Sequence, residues 1–342
     1  MSPAVAESWH RFDIRRIEDL NNAVLGAELE AIQMAGPHIK GSLAFAAHDG
    51  VIFSSGLIDG KVAIRGPLSR DAITLFVGLK FGPGSRHWLN EVTDGDVSVV
   101  LPGDEHDAFY TAGSLYLTAT LTAARLEQEV ARERLVFNRS LGSRTGLHST
   151  PICSPSLDWL RSQVAQIHNS GTTIGDRQPE IGRAMLRMVV SHYLRLPPSE
   201  DGRVHLQRPA RIVHRAREYI RENLTAPISI DALAAAAETS RRTLYRVFLE
   251  VLEDAPQSYV RRLRLHRIRR ELISATEATC TVSAAGRHWG FGGDMDRLSG
   301  TYRELFGETP APRSLLVTRI SKPTQGCEPD WHELHRRLPS TL

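Results

Sequence analysis

Histidine and cysteine are the side chains of this sequence that would suit metal or nucleophilic chemistry. His87 stands in "GPGSRHWL" and His106 in "PGDEHDAF", and no glutamate follows His87 at ligand spacing. Two imidazoles leave a catalytic metal site incomplete. Cys153, Cys280 and Cys327 are far apart and odd in number, which predicts neither a zinc site nor a disulfide framework. No Ser/His/Asp set or phosphate-binding glycine loop stands out, so the sequence predicts a protein that is not an enzyme and has no metal or cofactor.

Arginine is the other residue type whose distribution points to a function. "RRLRLHRIRR", residues 261–270, holds six arginines in ten positions. Residues 208–313 carry a net charge of +5, whereas residues 1–207 carry −3. A basic back half joined to a weakly acidic front half predicts that the back half binds a polyanion.

Short amphipathic helices are predicted to position these arginines. Ser229 and Ser240 each precede an apolar pattern of helical spacing and are predicted N-caps. Two pairs of short helices, 230–251 and 282–306, fit helix-turn-helix units, in which the second helix lies in a DNA major groove. The predicted helix 256–274 connects them and spans about 28 Å at 1.5 Å per residue. That length approaches the roughly 34 Å between successive major-groove faces of B-DNA.

The front half has a different pattern. Residues 38–121 contain short β-rich runs separated by Gly, Pro and Asp, typical of an all-β barrel or sandwich. Helices are predicted at 123–137, 156–168 and 178–196. Within 156–168 one apolar stripe favours either packing on the barrel or a dimer seam: Leu157, Leu160, Val164 and Ile167.

The chain of 342 residues is long enough for two domains with their own cores. The predicted divisions are a β-rich domain at 1–150, a helical segment at 151–200, a linker at 201–208, a helical domain at 209–313 and a tail at 314–342. No apolar run approaches the length that spans a bilayer, and the first residues lack the apolar region of a secretory signal. We therefore expect a cytoplasmic protein without a membrane partner.

Residues 209–313 resemble the DNA-binding region of the AraC/XylS family of bacterial transcription regulators. The resemblance rests on an ordered set of short matches: "LA" at 233–234, "SRRTLYRVF" at 240–248, "P-x-x-Y" at 256–259, "RRLRLHRIRREL" at 261–272, "V-x-x-A" at 282–285, "WGF" at 289–291 and "YRELFGETP" at 302–310. It implies a transcription activator that binds double-stranded promoter or operator DNA through two helix-turn-helix units. RNA polymerase, an unknown small-molecule effector and a second copy of the chain are the further partners that it implies.

The resemblance and the helical faces together predict the DNA-contacting residues. The family's base-reading positions fall on Arg242, Tyr245 and Arg246, and several arginines of the 261–270 run are predicted to contact phosphates. The full set is Arg241, Arg242, Tyr245, Arg246, Arg261, Arg264, Asp296, Arg297 and Ser299. Residues 211–274 carry a net charge of +5 and residues 275–313 carry −1, so the first unit is predicted to supply most of the affinity. For Arg297, base reading and a phosphate or surface role both remain open.

Three departures from the family pattern have structural consequences. Glu238 and Glu253 stand where the family usually has glycine, so we expect slightly altered turns and an intact fold. One extra residue lies between Phe291 and Leu298. We expect the turn at 292–293 to absorb it and Asp294 to cap the next helix.

The front half resembles, more loosely, a small cupin-type β-barrel. The predicted fold class is thus an α+β multidomain protein, with an N-terminal cupin-like β-barrel and helices and a C-terminal all-α double helix-turn-helix domain. One alternative is a cupin-type metalloenzyme with a DNA-binding appendage, which needs a full set of metal ligands. Another is a structural, nucleoid-type binder, which would bind DNA without sequence preference.

Overall fold

The computed structural model describes residues 9–132, 145–148, 150–169, 173–174, 181–195, 206–274, 281–291 and 294–311. The predicted tail at 314–342 and most of the linker at 201–208 lie outside these residues. Two compact units divide the described chain. The first takes the residues within Met1–Ala31 and Ile39–His205, and the second takes those within Ile32–His38 and Leu206–Glu328.

The first unit is built on two sheets. Their strands are β1 Trp9–Asp13, β2 Glu30–Gln33, β3 Lys40–His48, β4 Val51–Asp59, β5 Val62–Pro67, β6 Ile73–Lys80, β7 Arg86–His87, β8 Asn90–Glu91, β9 Val97–Val100, β10 Glu105–Tyr110, β11 Ser114–Leu121, β12 Gly146–His148 and β13 Thr173–Ile174. A 3-10 helix, Ile17–Asn22, follows β1. The eight-stranded sheet has the order β12-β9-β6-β11-β4-β3-β1-β13, and the five-stranded sheet has the order β2-β5-β10-β7-β8.

The predicted closed β-barrel is not what these strands form. Among the described residues both sheets are open, and each ends in short strands of two to four residues: β2, β8, β12 and β13. A barrel needs hydrogen bonds that continue from strand to strand around its whole circumference. Edge strands this short offer too few backbone groups to bridge one sheet to the other. The predicted β-rich front half is therefore confirmed, whereas the predicted barrel is corrected to two open sheets.

Three helices complete the described part of the first unit: α1 Ala123–Arg132, α2 Ser154–Asn169 and α3 Ile181–Arg195. Alternation along the strands sends one set of side chains of the large sheet, such as Leu75, Val77 and Leu117, into a core shared with these helices. The apolar stripe of α2 lies in this same core, with Leu160, Val164 and Ile167 fully buried and Leu157 nearly so. Of the two alternatives for that stripe, packing within the unit is the one that the structure shows.

His168 links α2 to the large sheet through a buried network. Its Nδ1 lies 2.7 Å from Ser42 Oγ, and its Nε2 lies 2.9 Å from Ser55 Oγ. Ser55 Oγ donates to the carbonyl of Tyr116 at 2.6 Å. Because that hydroxyl proton is committed, Ser55 must accept from Nε2–H, and Nδ1 accepts from Ser42. Burial lowers the pKa of His168 to about 3, so the imidazole is neutral as this network requires.

The second unit is helical. Its helices are α4 Arg208–Glu222, α5 Ile230–Ala236, α6 Arg241–Leu252, α7 Pro256–Ser274, α8 Val282–His288 and α9 Met295–Phe306. The bounds predicted for α7 agree with the structure. Ser229 accepts from the backbone N–H of Ala232, and Ser240 from that of Thr243, so both predicted N-caps are confirmed.

Residues Ile32–His38 also belong to the second unit. The backbone N–H of Gln33 donates to His266 Nε2 at 2.9 Å, and its side-chain amide donates to the carbonyl of Leu305 at 2.7 Å. Burial lowers the pKa of His266 to about 3, which keeps its ring neutral and able to accept. This short segment therefore satisfies buried polar groups of α7 and α9.

Candidate nucleic-acid interface

The first helix-turn-helix consists of α5 and α6. Leu244, Val247 and Phe248 of α6 are fully buried, as predicted from their spacing. The opposite face is consequently directed outward, and Arg241, Arg242 and Arg246 are exposed while Tyr245 is half-buried. One face of α6 thus presents three guanidinium groups and a phenol to solvent.

These outward side chains differ in their partners. Arg241 forms a bidentate ion pair with Asp231 of α5, and this carboxylate raises the pKa of the guanidinium. Arg246 donates to Glu250 one helical turn away at 2.9 Å. Arg242 has no hydrogen bond or ion pair to a side chain of the described residues. Arg242 is therefore the most available base-reading candidate, whereas Arg241 also fixes α6 to α5.

Glu238 and Glu253 occupy the two turns of this unit in the left-handed region. Their φ angles are 50° and 52°. Glu238 closes α5 by donating its N–H to the carbonyl of Ala235, and Glu253 is the C-cap of α6. These are positions where glycine costs less. The fold is intact, as expected, and both glutamates adopt the left-handed conformation that favours glycine.

The second helix-turn-helix consists of α8 and α9. Leu298, Tyr302 and Leu305 are buried in one apolar cluster with Ala285 of α8. Asp294 accepts from the N–H of Arg297 at 2.9 Å, so the predicted cap is confirmed. Residues 292–293, predicted to absorb the extra residue, lie outside the described residues.

The outward face of α9 is poorer in positive charge than that of α6. Asp296 and Arg297 are exposed, and Ser299 is half-buried. Asp294 is exposed beside them at the start of the helix. α9 exposes Arg297 and Arg303 together with Asp296 and Glu304, whereas α6 exposes three arginines with Glu250, so the charge on α6 is the more positive.

Three of the six arginines of the α7 run, Arg262, Arg264 and Arg269, are bound by other groups of the protein. Arg262 donates to Asp254 at 2.7 Å, and Arg269 is buried, where it pairs with Glu308 and lies 4.6 Å from the ring centre of Phe306. Apolar residues explain this burial, since they surround α7 rather than form one stripe: Val260, Leu263, Leu265, Ile268 and Leu272 are all buried. A helix that is apolar on several sides packs on several sides. The apolar residues on several sides of α7 are visible in the sequence, but the prediction of phosphate contacts was based on the arginines alone.

Arg264 is the predicted DNA-contacting residue whose surroundings differ most from the prediction. It is half-buried, and its Nε donates to the carbonyl of Leu224 at 3.0 Å and its Nη2 to that of Ala226 at 2.6 Å. Nη1 lies 3.5 Å from the carbonyl of Gly290. A Cβ on Gly290 would stand 2.9 Å from this guanidinium, and the φ of Gly290 is +78°. The positive φ favours glycine in the second turn, and the absence of a Cβ there leaves room for the guanidinium of Arg264.

Three of the predicted DNA-contacting residues meet at one pocket. Arg261, Arg264 and Arg297 line a pocket of about 300 Å³ between the start of α5, the middle of α7 and the turn after α8. We call it the α7 pocket. Two helices that are far apart in sequence thus bring three guanidinium groups to one place. Arg261 and Arg297 form no ion pair with a described residue.

The two histidines singled out in the first unit lie together. His87 and His106 are buried, with ring centres 5.1 Å apart and planes at 81°. Both nitrogens of His87 and the Nδ1 of His106 have no hydrogen-bond partner among the described residues. Burial lowers both pKa values, that of His106 to about 4. The described residues contain no group of three or more His, Cys, Asp or Glu that could hold a metal ion.

Comparisons with known proteins find similarity in the helical second unit. A family model described as a helix-turn-helix domain matches residues 233–312. The XylDLEGF operon transcriptional activator of Pseudomonas putida is 32% identical over 97 residues, which are 28% of this chain and 30% of that protein. The HTH-type transcriptional regulator ArgR of Pseudomonas aeruginosa is 33% identical over 88 residues, 26% of each chain. A solved structure, a probable AraC family transcriptional regulator from Rhodopseudomonas palustris, is 30% identical and covers 29% of this chain and 91% of that chain, with a TM-score of 0.28.

Two helix-turn-helix units joined by one long helix define the class of the second unit as a double helix-turn-helix domain. Residues 233–312 are a helix-turn-helix domain of the AraC/XylS type, which confirms the resemblance drawn from the short motifs. The chain matches less than a third of the length of the two curated relatives named above. No helix among the described residues is both long and apolar enough to cross a membrane.

Proposed function

We propose that the chain is a sequence-specific, DNA-binding transcription regulator that acts as an activator at bacterial promoters. The observation that carries the proposal is the division of α6 into a fully buried face and an outward face with three arginines. Arginine pairs with the O6 and N7 atoms of guanine in the major groove. The AraC/XylS-type domain and the similarity to a P. putida transcriptional activator support the same function.

The residues divide between reading and positioning. Arg242, Tyr245 and Arg246 of α6 are the proposed base readers, and Arg297 and Ser299 of α9 are their counterparts in the second groove. Arg261 is a proposed phosphate contact, because it is half-buried at the rim of the α7 pocket and has no ion-pair partner in the described chain. Arg241 and Arg264 act mainly by holding the helices in place, the first through Asp231 and the second through backbone carbonyls.

The first unit is the proposed sensor. Its two-sheet core with three packed helices is compatible with a cupin-like domain that takes a small-molecule effector and with a chain that forms homodimers. RNA polymerase is the partner that an activator requires. The metalloenzyme alternative needs a set of ligands that the described residues do not assemble around His87 and His106, so it is not proposed.

Fluorescence anisotropy with labelled duplexes from the DNA that flanks the coding region tests the proposal. The full chain should bind one flanking duplex at least ~1,000-fold more tightly than a scrambled duplex, within the usual range of specific over non-specific binding. Arg242→Ala should cost about 1–3 kcal/mol on the specific duplex and little on the scrambled one.

Arg211→Ala on α4 is the matched control. Arg211 is exposed and lies outside both helix-turn-helix units. Its substitution therefore removes the same charge without removing a base contact. Equal losses for the two variants would contradict the assignment of Arg242. Equal affinity of the unmodified chain for flanking and scrambled DNA would favour the nucleoid-type alternative and overturn the proposal.

A further inference from the structure

The α7 pocket has an apolar floor. Leu233 and Val260 are buried beneath it, and Ile228, Ile230 and Phe291 are half-buried around it. Its volume of about 300 Å³ lies at the lower end of the range of small-molecule sites. An aliphatic and aromatic floor stabilises a hydrocarbon group that leaves water, whereas a DNA phosphate gains nothing from it.

The rim of the pocket is cationic and its charge is not offset. No carboxylate is among the described residues that line it, which include Arg261, Arg264 and Arg297. Arg264 is half-buried, and burial lowers the pKa of its guanidinium with no carboxylate acting in the opposite direction. A buried charge is normally paired, so a half-buried guanidinium beside a pocket indicates an anionic partner.

Arg264 also has donors to spare. A guanidinium carries five N–H groups, and at most three of those of Arg264 are used by the carbonyls of Leu224, Ala226 and Gly290. The remaining N–H groups lie on the same planar fork, whose geometry suits the two oxygens of a carboxylate.

We propose that the α7 pocket binds a small amphipathic carboxylate, with its hydrocarbon part on the apolar floor and its carboxylate at Arg261, Arg264 and Arg297. The ligand competes with DNA, because Arg261 and Arg297 cannot bind a carboxylate and a nucleic acid at the same time. Only this competition rests on the proposed function. Ligand binding itself does not.

Calorimetric titration of the full chain tests the ligand class with three probes. Octanoate has both parts of the ligand, octanol has the hydrocarbon body without the charge, and acetate has the charge with almost no body. Hydrogen bonds to the carboxylate and burial of the hydrocarbon tail should each contribute to the binding free energy. Octanoate should therefore bind at least about tenfold more tightly than either control. Equal binding of octanoate and octanol, or of octanoate and acetate, would overturn the proposal.

Substitutions locate the site. Gln257 lines the pocket and is exposed in the first turn of α7, where an added carboxylate is compatible with the helix. Gln257→Glu should weaken octanoate binding at least about fivefold through like-charge repulsion, whereas Ala235→Glu, exposed on α5 and outside the pocket, should not. Arg297→Gln is a second variant that removes one cation from the rim, and circular dichroism checks that each variant is folded. If both pocket variants bind octanoate as tightly as the parent chain does, the ligand binds elsewhere and the proposed site is refuted.

Anisotropy on the specific duplex, with and without saturating octanoate, tests the competition. Octanoate should weaken DNA binding at least about tenfold, because octanoate and DNA would bind the same two cationic side chains. Octanol should have no effect. Octanoate that binds the pocket without changing DNA affinity overturns the competition. A chain that binds octanoate but no DNA refutes the proposed function and leaves the ligand site in place, so the two failures are distinguishable.

Discussion

Glu238 and Glu253 have a backbone conformation that is unfavourable for a residue with a side chain. Both have φ near +50°, where a residue with a Cβ is about 1–2 kcal/mol less stable than in the right-handed region. Glu238 regains part of this through an exposed ion pair with Arg215. Exposed pairs contribute about 0–1 kcal/mol, so the turn remains strained.

Glu238→Gly should therefore stabilise the second unit by about 0.5–1 kcal/mol relative to Glu238→Ala, after the greater chain entropy of glycine in the unfolded state is subtracted. Both variants lose the ion pair with Arg215, so the comparison isolates the backbone. Thermal unfolding of the full chain measures it. A melting temperature for the glycine variant at or below that of the alanine variant would show that the turn carries no strain.

Arg264 and Arg261 lie one turn apart on α7 and are predicted to respond oppositely to the same change. Arg264→Gln leaves the carbonyl of buried Leu224 without its donor, at a cost of about 1–3 kcal/mol, whereas the carbonyl of exposed Ala226 can bond to water instead. Arg261→Gln breaks no ion pair of the described chain, so it should leave the melting temperature unchanged. It should instead weaken binding to all duplexes alike and lower the salt dependence by about one counterion.

Chemical denaturation and salt-dependent anisotropy on both variants separate these roles. The assignment fails if Arg261→Gln destabilises the chain as much as Arg264→Gln, or if Arg264→Gln changes only DNA affinity.

The two outward helices, α6 and α9, are predicted to contribute unequally to DNA binding. α6 presents three arginines, whereas α9 presents Arg297 beside Asp296. The exposed pair of Arg246 with Glu250 is worth at most about 1 kcal/mol and does not prevent Arg246 from turning to DNA. Arg246→Ala should thus lower affinity more than Arg297→Ala.

Asp296→Asn should raise affinity, most clearly at low salt, because it removes an anion that repels phosphates. Anisotropy titrations at two salt concentrations measure all three variants. If Arg246→Ala leaves affinity intact while Arg297→Ala abolishes it, the asymmetry between the helices is reversed and the prediction is wrong.

At the scale of the whole molecule, buried imidazoles make the two units differ in their response to acid. The first unit buries His87, His106 and His168, and the second buries His266. Burial lowers each pKa from the ordinary 6.5, to about 4 for His106 and about 3 for His168 and His266. The unfolded chain therefore binds more protons than the folded chain as the pH falls below 6.5, and stability is lost in that direction.

Each such histidine costs about 1.4 kcal/mol per pH unit between 6.5 and its folded pKa, so the first unit, which buries three of them, should lose stability more steeply than the second, which buries one. Calorimetry from pH 7.5 to 5 should show the transition of the first unit moving further down in temperature. Arg264→Gln lowers only the transition of the second unit and so identifies it. Transitions that shift equally, or rise on acidification, contradict the prediction.

Local chemistry explains how much of the second unit could be predicted from the sequence. Ser229, Ser240 and Asp294 cap their helices through bonds that reach only three residues, and the bounds of α7 follow from Pro256 and the local apolar pattern. The same short-range signals predicted both helix-turn-helix units and their buried faces.

The tertiary structure alone decided which charges are available and how the sheets end. The closed barrel was a wrong prediction because closure depends on pairing between distant edge strands, about which alternation along one strand says nothing. The arginine run of α7 reads as one cationic face in the sequence, yet Arg262, Arg264 and Arg269 are held by groups from 8 to 40 residues away. A side chain's partners depend on which elements pack against its helix. For that reason the sequence determined an AraC/XylS-type domain and its outward helix α6, and only the packing around α7 decided which arginines hold the fold and which remain at the α7 pocket for an anion.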